Sequence, residues 1–222
     1  MKNLNTTLYI WSLIIISSII YVIYFAFSSS LTEYETFLDF IKPISIVVTL
    51  DAIIVGIFVK WLWRLKLLYP WFVPFPDLNG TWKGVLKSNW ECPNTGKKPD
   101  EIPVILTIHQ TFTNVSCVMR TGEMCSESFA SEFIVNSITE NPKIIYSYKS
   151  DPKADIKYRS APHFGTAMLS TGNNYSELNG EYWSSRETTG TIYLKFWKKD
   201  KVDVYSEIFG EHPMSTSSKK VK

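Results

Sequence analysis

The chain has 222 residues, with Lys+Arg 23 against Asp+Glu 21 and a formal net charge of +2. So small an imbalance makes no general polyanion-binding surface, so neither DNA nor RNA is expected as a partner and any nucleotide must be recognised locally. Aromatic residues make up 15% of the chain (Trp 8, Tyr 12, Phe 13), which suits membrane-interface belts, a β-rich domain and a stacking pocket alike.

From Leu8 to Phe27 the run LYIWSLIIISSIIYVIYFAF carries no charge and has about the 20 residues needed to cross a hydrocarbon core. Its length, and the second span that follows, argue against a cleaved signal peptide. That second span, ISIVVTLDAIIVGIFVKWL from Ile44 to Leu62, is expected to open at Pro43, where a helix start tolerates the missing N–H. The intervening loop carries Glu33, Glu35 and Asp39 against Lys42, whereas the other flanks carry Lys2, Lys60, Arg64 and Lys66. The positive-inside rule then places the N-terminus and everything after the second helix in the cytoplasm. Trp61 and Trp63 beside Arg64 read as interface anchors, and Pro70, Pro74 and Pro76 stiffen a short connector.

Asp51 lies well inside the second span, where an unpaired acid costs roughly 2.5–3.5 kcal/mol on insertion scales. Two readings stay open. It makes a polar contact between protomers or a water-lined path, which makes it a candidate for the membrane lesion and oligomerisation; or it bonds locally to Thr49 or to a serine of the first helix, where Ser12, Ser17 and Ser18 are available.

Residues 77 to about 210 contain no convincing amphipathic helix. Short β-branched and aromatic runs recur between Gly, Asn, Asp and Pro, which predicts strands near 80–90, 101–111, 114–121, 127–137, 143–150, 164–171, 177–185 and 189–198. Eight such strands indicate a small antiparallel up-and-down (meander) β-barrel, lipocalin-like in plan. TGNN at 171–174 and RETTG at 186–190 read as turns, making the last three strands consecutive hairpins. The predicted organisation is a two-helix transmembrane region over 1–68 (spans about 8–27 and 44–63), a connector over 69–76, the barrel over 77–211 and a disordered tail over 212–222.

Period-two alternation sorts the side chains. If Trp82 points inward, so do Gly84, Leu86, Ser88 and Trp90; Ile144, Tyr146 and Tyr148 share a face, as do Gly180, Tyr182, Ser184 and Arg186. An eight-stranded barrel is just wide enough to be filled by side chains or to hold one small ligand, and inward Ser, Tyr and Gly leave a polar, partly open cavity.

No G-x-S-x-G, HExxH, P-loop or GxGxxG occurs, and His109, His163 and His212 have no Cys or carboxylate at ligand-like spacing, so neither an enzyme nor a metal site is expected. Glu123, Glu127 and Glu132 are scattered and suggest no acid–base pair. Cys92, Cys117 and Cys125 form no CxxC; Cys117 and Cys125 are placed to approach across a hairpin or to remain packed thiols. The candidate ligand contacts are Trp90, Arg120, Tyr146, Tyr148, His163, Tyr182, Ser184 and Arg186. Tyr and Trp stack on bases, Arg forks onto phosphate, and His and Ser hydrogen-bond.

Two spans followed by LNGTWKG, HFGTAML and LNGEYWSSRETTGTIYLKF resemble the two-transmembrane β-barrel effectors of bacterial CBASS anti-phage operons, which are associated with cGAS/DncV-like nucleotidyltransferases (CD-NTases). The resemblance covers nearly the whole chain and rests on Gly80-x-Trp82, Gly165-Thr166 and Leu178-x-Gly180 to Gly190, none of them catalytic. It implies a non-enzymatic effector in the bacterial inner membrane. A partner CD-NTase makes a cyclic dinucleotide, 3′,3′-linked with cyclic di-AMP as one candidate, which the cytosolic barrel binds. The protein then forms a homo-oligomer that disrupts the lipid bilayer in an abortive infection. The alternatives are an anchored lipocalin-like barrel that binds lipid and a constitutive membrane protein whose barrel docks a protein.

Overall fold

A start without charge and rich in isoleucine forms the 23-residue helix α1 (Thr6–Ser28). Ser12 and Ser18 return their hydroxyls to the carbonyl four residues back, which satisfies them without water, and Ser17 Oγ has both Leu13 O (2.8 Å) and Asp51 within reach. Helix α2 (Phe37–Lys60) begins six residues before Pro43, so the expectation that Pro43 opens the helix is corrected. The turns before the proline are helical as well. The stretches Thr6–Phe27 and Pro43–Lys60 are long and apolar enough to cross a membrane. Asp51 Oδ2 accepts the Ser17 hydroxyl at 2.6 Å, and Thr49 bonds Ser45 O instead, so of the local partners considered it is Ser17 that meets the acid. The other carboxylate oxygen, Oδ1, is buried with no hydrogen-bond partner among the described residues.

This computed structural model describes residues 4–28, 37–92, 96–135, 141–172 and 175–215. Glu33, Glu35 and the turn residues Asn173 and Asn174 lie outside them. The chain divides into two units, Lys2–Pro74 and Phe75–Lys222. Phe75 stacks on Phe133 with ring centroids 5.2 Å apart, so the barrel unit takes in the last residues of the proline-rich connector.

The second unit is a closed barrel of eight antiparallel strands in sequence order: β1 (Gly80–Ser88), β2 (Ile102–Gln110), β3 (Val115–Thr121), β4 (Met124–Ile134), β5 (Lys143–Pro152), β6 (His163–Thr171), β7 (Glu177–Ser184) and β8 (Thr189–Lys198). Pairing of β1 with β8 removes both sheet edges. Strand β4 starts at Met124, three residues earlier than the sequence indicates, which shortens the β3–β4 turn to Gly122 and Glu123.

The two barrel ends differ. At the end where β1 begins, Trp82, Leu78 and Phe75 are at most 2% exposed, and the Trp82 indole donates to Leu78 O at 3.0 Å. Gln110 closes the same end by accepting from Leu78 N (2.8 Å) and donating to Pro76 O (3.0 Å). The other end is more polar and contains the cavity.

After β8 the chain runs back along the outer wall. Val202 N donates to Thr81 Oγ1 at 3.0 Å, and the Thr107 hydroxyl donates to Val202 O at 2.8 Å. The Tyr205 hydroxyl donates to Gly210 O at 2.8 Å, and Trp197 meets Phe209 edge-on at 5.2 Å. This strap explains why β2 is apolar on both faces. Leu106 faces inward beside Trp82, whereas Ile105 faces outward and is still 0% exposed.

Candidate ligand-binding site

The cavity is about 170 Å³ and lies in the polar half of the barrel. Its wall follows the inward parity of the strands: Leu86 and Ser88 from β1, Met119 and Thr121 from β3, Met124 and Ser126 from β4, then Tyr146, Tyr148 and Ser150 from β5. Ala167, Tyr182 and Ile192 complete it from β6, β7 and β8. Tyr146 is 1% exposed, and its hydroxyl has no hydrogen-bond partner among the described residues. A buried orphan donor costs about 1–3 kcal/mol, so this hydroxyl is poised for an acceptor on a guest. Tyr148 tilts toward Tyr146 with ring centroids 6.0 Å apart, and Tyr182 donates its hydroxyl to Ser88 Oγ at 3.0 Å. Burial raises the pKa of all three phenols, so they act as neutral donors and stacking faces.

Gly165 is required beside this cluster. A Cβ there would collide with the Tyr148 hydroxyl and with Trp183 O, so only glycine lets the ring lie against β6.

The rim carries the charge. Arg186, in the β7–β8 turn, donates from Nη1 to Ser160 Oγ at 2.9 Å. His163 opens β6 with Nδ1 3.3 Å from Ala161 O; burial first, then the Arg186 charge, pushes its pKa below the ordinary value, against that hydrogen bond and Asp151. Arg159 reaches in from the β5–β6 connection to Glu123. Two guanidiniums therefore stand against one carboxylate at the cavity, a balance that favours an anion.

Six of the eight contacts proposed from sequence line this cavity: Trp90, Tyr146, Tyr148, His163, Tyr182 and Arg186. Two do not. Arg120 has outward parity on β3 and points its Nη1 at Val202 O of the strap, 3.5 Å away. Ser184 bonds the Thr188 hydroxyl at 2.7 Å within its own turn. Cys117 is buried facing inward, whereas Cys125 pairs with outward Arg120, so the two thiols occupy opposite faces of the sheet.

Glu123 was not legible as a site residue. The short β3–β4 turn leaves it 4% exposed, where it accepts from Arg159 Nη2, the Ser215 hydroxyl and, at 3.2 Å, His212 Nδ1. Burial alone would raise its pKa; the hydrogen bonds from His212 and Ser215 and the charges of His212 and Arg159 overcome this and hold it at about 2. Because the folded value is depressed, the stabilisation is present above the ordinary 4.5 and is lost as pH falls from there through about 2. The full swing is about 3 kcal/mol. Denaturant titrations of the full chain in detergent at pH 5.5 and 2.5 are expected to show about 2.5 kcal/mol more acid destabilisation in the parent than in Glu123→Gln, the part of the swing that lies above pH 2.5; equal losses would remove the charge from the account.

Residues 73–196, which cover the barrel through Phe196, match the family described as Cap15, cyclic dinucleotide receptor domain. The chain is also 31% identical over 160 residues, 71% of its own length and 81% of the relative's, to CD-NTase-associated protein 15 of Staphylococcus schleiferi. With the closed eight-stranded barrel and the two apolar helices, these matches show that the chain belongs to the Cap15 cyclic dinucleotide receptor family of CBASS membrane effectors.

Proposed function

We propose that the barrel cavity binds a cyclic dinucleotide made by a partner CD-NTase, and that the occupied protein assembles into a homo-oligomer that disrupts the bacterial inner membrane. The observation that carries the ligand is the convergence of Tyr146, Tyr148, Tyr182 and Trp90 with Arg186 and Arg159 at one barrel end. A cyclic dinucleotide presents two base faces and two phosphodiesters, the groups that aromatic rings and guanidiniums recognise. A lipid-binding barrel would need an apolar interior, and Ser88, Ser126, Ser150 and Glu123 weigh against it.

The positive flanks Lys60, Arg64 and Lys66 support a cytoplasmic barrel, where such a nucleotide would be made. The outer wall exposes Trp183, Tyr193 and Trp197, which supports contacts between copies. Asp51 supports a polar seam between spans, because Ser17 occupies only one of its oxygens.

Thermal melting of the detergent-solubilised protein against a panel of 3′,3′-linked cyclic dinucleotides, cyclic di-AMP among them, tests the ligand. One member is expected to raise the melting temperature in a concentration-dependent way and to enlarge the particle on sizing. No shift with any member refutes the ligand. In dye-loaded vesicles Asp51→Leu is expected to bind and assemble like the parent but release less dye, and equal release would exclude Asp51 from the lesion.

A further inference from the structure

The strap does not end on the outer wall. Beyond Gly210, which has φ +110 and lies close against Pro103, residues 211–215 turn across the polar end of the barrel. A tail disordered from 212 was expected; His212 to Ser215 instead have defined positions, and 216–222 lie outside the described residues. His212 lies against Gly122, where even a Cβ would come within 3.2 Å of it. Met214 forms part of the cavity wall. Two contacts of this segment, His212 Nδ1 at 3.2 Å and the Ser215 hydroxyl, meet Glu123, and Met214 N lies 3.3 Å from the same His212 nitrogen.

That carboxylate lies in the wall of the cavity proposed for the nucleotide. It takes one Arg159 Nη2 donor, from one of two guanidiniums at the cavity, and a phosphodiester oxygen is an acceptor for the same kind of donor. With the segment in place the cavity is about 170 Å³, below the roughly 300–1,000 Å³ of sites that bury a drug-sized ligand. Met214, flexible and apolar, is suited to filling and leaving such a space. The strap's other anchors, at Thr81, Thr107 and Trp197, lie on the outer wall and would persist if only the residues after Gly210 moved.

We propose that residues 211–215 are a latch that closes the cavity by seating His212 and Ser215 on Glu123, and that an incoming phosphodiester opens it by replacing Glu123 on Arg159. This rests on the cyclic dinucleotide reading and adds its regulation. The ligand opens the latch only by the excess of its affinity for the open form. Release of the segment is then the first structural change that reports occupancy.

Hydrogen exchange on the full chain in detergent tests the latch without any ligand. Glu123→Gln is expected to speed exchange of the amides of His212, Met214 and Ser215 by about tenfold, the effect of losing one charge-assisted hydrogen bond, with β2 and β5 unchanged. Ser215→Ala, which leaves Glu123 and Arg159 paired and removes no amide acceptor, is expected to do the same and covers the case in which Glu123→Gln fails to fold. Unchanged exchange in the folded variants overturns the latch.

Calorimetry with the same cyclic dinucleotide panel adds the second arm. Glu123→Gln is expected to bind about tenfold more tightly than the parent, because the competing carboxylate is gone, and bound nucleotide is expected to speed exchange at 212–215 in the parent. A nucleotide that binds the parent yet leaves those amides protected overturns ligand-driven opening. If no member binds either protein, the nucleotide reading falls together with ligand-driven opening, while the exchange of the unliganded variants still decides the latch.

Discussion

Arg186→Ala is expected to weaken binding of the activating cyclic dinucleotide by about ten- to a hundredfold, the worth of a charge-assisted hydrogen bond to phosphate. The side chain stands at the cavity rim on an exposed turn, where its Nη1 donates to Ser160 Oγ. Removing it takes nothing from the barrel core, so the melting temperature without ligand is expected to stay within about 1–2 °C of the parent. Arg186→Lys keeps the charge without the planar fork and is expected to recover only part of the affinity. Calorimetry on the three proteins decides between a phosphate contact and a bystander. Equal affinities would move the anion to Arg159.

Trp82→Ala is expected to have the largest effect on stability, about 3–5 kcal/mol, because the ring is 1% exposed at the closed end and would leave both a void and an unpaired Leu78 carbonyl. The melting temperature is expected to fall by roughly 10–20 °C. Glu181→Ala, an exposed position on β7, is the control and is expected to change stability by less than about 0.5 kcal/mol. Similar losses in the two variants would show that the closed end is not the stabilising core. A barrel plugged at one end leaves its other half free to carry polar side chains, and this division makes a binding site compatible with a stable fold.

Much of this arrangement was legible from residue order. Strand existence followed from β-branched and aromatic runs, and the inward sets Leu86–Ser88, Tyr146–Tyr148 and Tyr182 followed from period-two alternation, which is local geometry. Arg120 obeys the same alternation: Cys117, Met119 and Thr121 take the inward face of β3, so Arg120 points out. Ser184 has the inward parity of Tyr182, but the β7–β8 turn takes its hydroxyl for Thr188.

The amino-acid sequence by itself determined two spans, eight strands, their order and the aromatic lining, because each depends on hydropathy and periodicity within about ten neighbouring residues. Only the tertiary structure decided that Glu123, Arg159 and His212, 36 and 89 positions from Glu123, share one buried site. It also decided that the chain after β8 covers β2 and crosses the cavity. Contacts between such distant segments follow from barrel closure and the path of the strap. They leave no periodic trace in the residues that make them.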